Sequence, residues 1–260
     1  MNIVKFFNMK TPFILFIICL TFGCSSKKNI IYLQDINQAK PDELHFEPPT
    51  IQADDILKIT VSTLDPSAAI PYNKTTANTS SAASFELMRL EGYEVTNDLK
   101  IQFPQLGTVS VKNLTTSQLA SAIKQRLESE GHLINPVVNV RLINAKFTVL
   151  GEVTRPGTYN FTESKLTLLQ AIGMAGDLTI NGKRNPVKLI REINQKRSIS
   201  YIDLTSSDWM TSDSYYINSN DVIIVDPNTP KVKSAGFIGN VGTTISVLSV
   251  LLSAIILLTR

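Results

Sequence analysis

Hydrophobic residues fall along this chain in three patterns, and each predicts a different kind of element. Near the start an uncharged apolar run, Pro12 to Phe22, follows Lys5 and Lys10. It is too short to cross a bilayer as a mature helix and has the basic flank of a cleaved signal peptide, so residues 1–23 are expected to be removed. At the other end a run of roughly 26 residues, Ser234 to Thr259, carries no charge and lies between Lys231 and Lys233 on one side and Arg260 on the other. At about 1.5 Å per residue it would reach about 39 Å as a helix, against a hydrocarbon core of about 30 Å. The expectation is a single transmembrane helix over 234–259. Gly239, Gly242, Ser246, Ser249 and Ser253 recur in it at spacings of three and four, which places them on one helix face. A stripe of small residues serves close helix packing or, in a ring of helices, lines a wet lumen. The alternative is a lone anchor whose serines bond back onto the preceding turn.

Between the ends the apolar positions alternate in short runs. About 210 residues remain there, enough for one or two small domains. Residues 24–49, with Pro41, Pro48 and Pro49 and little periodicity, predict a tether. A strand over Ile56, Leu57, Ile59 and Val61 follows, entered through Asp54-Asp55, where two carboxylates suit turn chemistry. The stretch from about 66 to 84 is too polar and simple to add to a core, and a mobile insert is expected there. Gly92 to Val95, a turn at Asn97-Asp98, and Ile101 to Val111 suggest a hairpin. Thr115 and Gln118 have capping-box spacing, Leu119, Ile123 and Leu127 share a face, and Gly131 can end the helix. Val137 to Leu142 completes a first unit, 50–144. A second, 145–230, repeats the order: strands over Phe147–Val153 and Tyr159–Phe161 about a type II turn at Pro156-Gly157, a helix capped by Thr167 and Gln170, then strands near Val187, Ile199 and Val222. The fold class is α+β.

Charge narrows the function. The formal net charge of +3 is spread without a basic run, so nucleic acid is not an expected partner. The only histidines, His45 and His132, sit in no nucleophile or metal spacing, and no glycine-rich phosphate loop is present. The expectation is a protein that is not an enzyme and uses no cofactor or metal. Cys19 leaves with the signal, and Cys24 is then the only thiol, so no intramolecular disulfide can form. Leu20 to Cys24, followed by Ser25-Ser26, resembles the lipobox of bacterial lipoproteins, which makes Cys24 the expected lipidation site. A binding module is the rival function, with Tyr159, Tyr215 and Tyr216 as candidate glycan contacts.

Residues 51–61, IQADDILKITV, and 101–111, IQFPQLGTVSV, resemble the polysaccharide export domain of outer-membrane capsule and exopolysaccharide exporters. Val149 to Gly157, with Leu169 to Ile172 and Ala175 to Leu178, resembles the soluble-ligand-binding β-grasp (SLBB) domain that follows it. Ala53 stands where the family has Gly, and Leu99 replaces a Gly after Asp98. One β-grasp unit is present where some relatives have two. The resemblance implies an outer-membrane lipoprotein with a periplasmic body. It further implies a ring-shaped homo-oligomer whose C-terminal helices form a channel for capsular or extracellular polysaccharide. An inner-membrane polysaccharide co-polymerase, often linked to a tyrosine kinase, is the partner it implies.

Overall fold

The computed structural model describes residues 27–38, 46–74, 91–193 and 196–234, with separate positions between 242 and 257. Two α+β units follow one another, each around its own core. In the first, β1 (Ile56–Ser62) buries Leu57, Ile59 and Val61, the alternation expected of a strand with one covered face. The chain then makes a short helix, α1 (Pro66–Ala69), capped by the Asp65 carboxylate. Strand β2 (Tyr93–Glu94) pairs with β1. A hairpin of β3 (Lys100–Phe103) and β4 (Gly107–Ser110) leads to α2 (Thr116–Ser129). Thr115 and Gln118 form the predicted capping box, and Leu119, Ile123 and Leu127 are buried. Strand β5 (Val137–Leu142) pairs antiparallel with the other side of β1, giving the sheet order β2-β1-β5.

Two turns accommodate the departures seen in the sequence. At the entrance to β1 the left-handed residue is Asp54, at φ 65°, one place after Ala53. Asn and Asp tolerate that conformation better than other side chains do, so the turn moves its demand by one residue. At the second turn Leu99 itself takes φ 55°. Thr96 N donates to Lys100 O and Leu99 N to Thr96 O, the bonding of a three-residue loop that ends in a left-handed position. The insert expected from residue 66 is in part built into the domain. Tyr72 is buried, and the Asn73 side-chain amide donates to Val61 O at 2.8 Å while its oxygen accepts from Val61 N at 2.9 Å. Asn73 thus takes the place of a strand neighbour along β1. Residues 75–90 lie outside the described residues.

The second unit begins with β6 (Lys146–Gly151) and β7 (Gly157–Asn160). The bend between them is not the expected type II turn, since Gly157 has no positive φ and already belongs to β7. The left-handed glycine is Gly151, at φ 92°. Strand β8 (Leu166–Thr167) leads through the Thr167–Gln170 capping box into α3 (Leu168–Met174). Long β9 (Gly182–Ile193), β10 (Lys196–Ile202), short β11 (Tyr216–Ile217) and β12 (Val222–Pro227) follow. The main sheet has the order β10-β9-β12-β6-β7, antiparallel except where β12 runs parallel to β6. Phe147, Val149, Val187, Leu189, Ile223 and Val225 come from these strands to meet Leu168 and Ile172 of α3.

The segment expected as a tether also packs. Leu33 N donates to Leu204 O and Gln34 N to Thr205 O, at 3.1 and 2.8 Å. Asp35 accepts from Ser207 N and Ser206 Oγ. Tyr32 donates to Asp177 at 2.6 Å and lays its ring by the buried Arg184 guanidinium, whose Nη groups donate to carbonyls of Leu178, Thr179 and Gly182. Burial and the Asp177 bond together raise the Tyr32 hydroxyl above the usual phenol range. Residues 27–38 therefore form a strap across the second unit.

The single C-terminal transmembrane helix expected over 234–259 must be withdrawn. Among the described residues no helix is long and apolar enough to cross a membrane. The continuous helix described at the start of this run, α4 (Thr229–Ser234), has six residues, two of them lysines. The separate positions described beyond it, between 242 and 257, are helical but do not amount to a described helix of spanning length. Residues 235–244 hold three glycines, two threonines and an asparagine, which lower the mean hydropathy of the run.

Candidate functional site

The two units meet through Ile143, Asn144 and Ala145, and this short link is held from both sides. Ile143 and Ala145 are buried. The Asn144 side chain accepts from Ile56 N and donates to Asp54 O, both at 2.9 Å. Ala145 O accepts from Phe161 N of the second unit, and Ile143 N donates to Ile56 O of the first. The link is thus pinned to the start of β1 and to the end of β7.

Beside it lies a cleft of about 440 Å³ with walls from both units. The first unit contributes Gln52, Asp55, the opening of α2 at Thr116 and Ser117, and Arg141 of β5. The second contributes Phe161 to Ser164 and Ile217 to Ser219. Phe46 closes one side, its ring edge-on to Tyr216 at 4.9 Å and under the Lys165 ammonium at 4.5 Å. The lining combines two phenyl rings with short hydroxyls, amides and carboxylates. Such a mixture can bind a polar molecule that also has apolar faces.

Asp55 is the distinctive group. It is 6% exposed, and among the described residues its carboxylate accepts one hydrogen bond, from Gln52 N at 2.9 Å. Burial pushes its pKa up to about 6; the Gln52 bond opposes this and the neighbouring Asp54 charge adds to it. The folded chain therefore binds this proton more tightly than the unfolded chain, and stability rises as pH falls from about 6 towards the ordinary value of 3.8. Above about pH 6 the full penalty is present. Asp55→Asn is expected to remove that slope and to raise stability near pH 7.5 by up to about 3 kcal/mol, read by urea unfolding at several pH values. A wild-type curve flat between pH 4 and 7 would refute it.

The residues singled out in the sequence are spread elsewhere. Cys24, Gly239 and His45 lie outside the described residues. Gly242, Ser246, Ser249 and Ser253 are exposed helical positions. The three hydroxyls donate to the carbonyls of Gly242, Ile245 and Ser249, each four residues back and at 2.8 Å. Tyr159 stacks on Phe147, and Tyr215 packs beside Trp209, so both serve the core. Only Tyr216 comes near the cleft, through Phe46. His132 lies 3.5 Å from Glu130 and edge-on to Tyr72. Among the described residues no group of three metal-ligating side chains occurs. The sequence concealed Asp55 because a carboxylate at a strand entrance suits a turn, a role that here falls to Asp54.

Comparison with known proteins follows the same division. Residues 47–143 match the polysaccharide biosynthesis/export protein family, and residues 146–202 match the SLBB domain. The chain carries a polysaccharide export domain followed by an SLBB domain. The two matches part at the buried link, so the cleft lies on the border of the export and SLBB domains. The SLBB match stops at residue 202, yet β12 lies in the middle of that domain's sheet, so the folded unit extends at least to Pro227. The EPS I polysaccharide export outer membrane protein EpsA of Ralstonia nicotianae is 29% identical over 106 residues. That stretch is 39% of this chain and 27% of the relative, so the chain spans about a quarter of the relative it matches.

Proposed function

We propose that this chain acts in the export of capsular or extracellular polysaccharide, as a lipoprotein anchored through Cys24 to the outer membrane of a Gram-negative cell. Its export and SLBB domains form the periplasmic body of a ring-shaped homo-oligomer around the path of the polymer. The observation that carries the proposal is the succession of the two matched domains, joined without a flexible linker. A ring needs protomers of fixed internal geometry, and the pinned Ile143–Ala145 link supports that. It also needs adhesive flanks. The SLBB sheet ends at the open edge β10, where Ile199 and Tyr201 are exposed, and the export domain exposes Ile134 and Val137 at the start of β5. The inner-membrane partner in this scheme is a polysaccharide co-polymerase, often linked to a tyrosine kinase.

A second function, a periplasmic glycan-binding or scaffold lipoprotein without a pore of its own, is favoured by the polar cleft at the domain border. A strain deleted for the gene separates the two. Export predicts that surface polymer disappears on deletion, returns with the full chain, and stays low with Cys24→Ser. Unchanged surface polymer in the deletion strain would refute it. The mass of the full chain in detergent tests the ring: a closed oligomer of one size is expected, and a monomer would exclude it.

A further inference from the structure

The cleft between the domains has a chemistry more specific than general polarity. Its volume of about 440 Å³ falls within the range of about 300–1,000 Å³ typical of small-molecule sites. Phe46 and Phe161 give it apolar surfaces, against which the C–H faces of a pyranose can lie. Asp55 and Glu163 provide acceptors, and Ser117 and Asn218 provide groups that both donate and accept, the complement of a ring of hydroxyls. Asp55 is more than nine-tenths buried, and its second carboxylate oxygen has no protein donor among the described residues. That oxygen remains open to solvent, and because Asp55 lines the cleft a hydroxyl of a bound molecule can replace water as its donor. Two carboxylates balance the Arg141 guanidinium and the Lys165 ammonium over Phe46, so the cleft has no net positive charge to select an anionic sugar.

We propose that this cleft is a saccharide subsite which takes an uncharged sugar residue of the exported polymer, stacked by Phe46 and hydrogen-bonded through its hydroxyls to Asp55 and Glu163. The proposal rests on the export function above. Its affinity is millimolar, as a path that must release its cargo requires. Because both domains build the subsite, an occupied cleft also holds the export domain against the SLBB domain.

The test uses the full chain in detergent and ligand-observed NMR with two probes, cellopentaose and a pentamer of glucuronic acid. Saturation transfer to cellopentaose is expected, and weaker transfer to the acidic pentamer. Phe46→Ala and Glu163→Gln should each reduce the affinity for cellopentaose about tenfold, since each removes one stacking or charge-assisted contact. Both sites are away from the cores, so melting midpoints should stay near that of the wild type and separate lost binding from lost folding. Asp55→Asn gives a further check, because it stabilises the fold while weakening the sugar. No transfer to cellopentaose, binding unchanged in all three variants, or tighter binding of the acidic pentamer would each overturn the subsite. These results are distinct from the fate of the export function, which falls only if deletion of the gene leaves surface polymer intact.

Discussion

Gly151→Ala is expected to unfold the SLBB domain while leaving the export domain folded. Gly151 ends β6 at φ 92°, opposite Val225 in the parallel ladder with β12. A Cβ there would stand 2.0 Å from Val225 O and 3.0 Å from Val225 C. Both contacts are with backbone, so no side-chain rotation relieves them. The positive φ alone costs about 1–2 kcal/mol in an L-residue. Removing the clash means parting β6 from β12, the strand that also holds β9. The loss should exceed about 4 kcal/mol, the range reserved for a disrupted core, and lower the midpoint of a domain this size by roughly 16 °C or more. Hydrogen exchange should show protection lost at residues 187–190 and 222–225 and kept at 57–61. A midpoint within a few degrees of the wild type would disprove the close approach.

Arg191→Leu should have the next largest effect. Asp221 is 1% exposed and accepts from Arg191 Nη2 at 2.7 Å, from Arg191 Nε at 3.0 Å and from Asn218 N at 2.8 Å. The same guanidinium donates to Tyr216 O and Asp213 O, tying β9 to the loop before β11. Burial raises the pKa of Asp221 even though Arg191 opposes it. Without the arginine, a desolvated carboxylate keeps one backbone donor. Breaking such a pair from one side costs about 3–5 kcal/mol near neutral pH. The folded state binds the Asp221 proton more tightly than the unfolded state, so the variant should recover stability as pH falls through the raised value towards 3.8. Arg191→Leu combined with Asp221→Asn should recover most of the loss at pH 7.5, because no buried charge is left. Urea unfolding of the three variants decides the matter. A double variant no more stable than Arg191→Leu would show that the pair acts through packing instead.

Local structure was largely legible in the sequence because it rests on neighbours. Both capping boxes were visible from spacing alone, and so was the alternation of β1. The order of elements starts again near residue 144, which is why the sequence suggests a border between units there. What could not be read depends on partners far apart in the chain. Nothing near Val222 shows that β12 runs parallel to β6, so Gly151 could be recognised as part of a motif but not as a point of backbone contact. Asp55 is indistinguishable from Asp54 by composition, and only the packing of two domains around it separates a turn residue from a buried acid. Leu99 shows the reverse case: the sequence marked it as out of place, and the structure keeps the left-handed turn with leucine in it. The expectation of a membrane-spanning helix at the C-terminus failed on length and apolarity among the described residues, since absence of charge alone does not set mean hydropathy.

The strap formed by residues 27–38 makes the SLBB domain discontinuous in sequence, with the whole export domain inserted between its first piece and its remainder. Leu33 and Leu204 are bonded across 171 positions, so the strap cannot settle until residues near 205 have arrived and folded. Contacts of such high sequence separation form late, since a long loop must close before they contribute. Assembly is therefore ordered in time: the strap is the piece with the longest reach back along the chain, and its seating marks completion of the protomer.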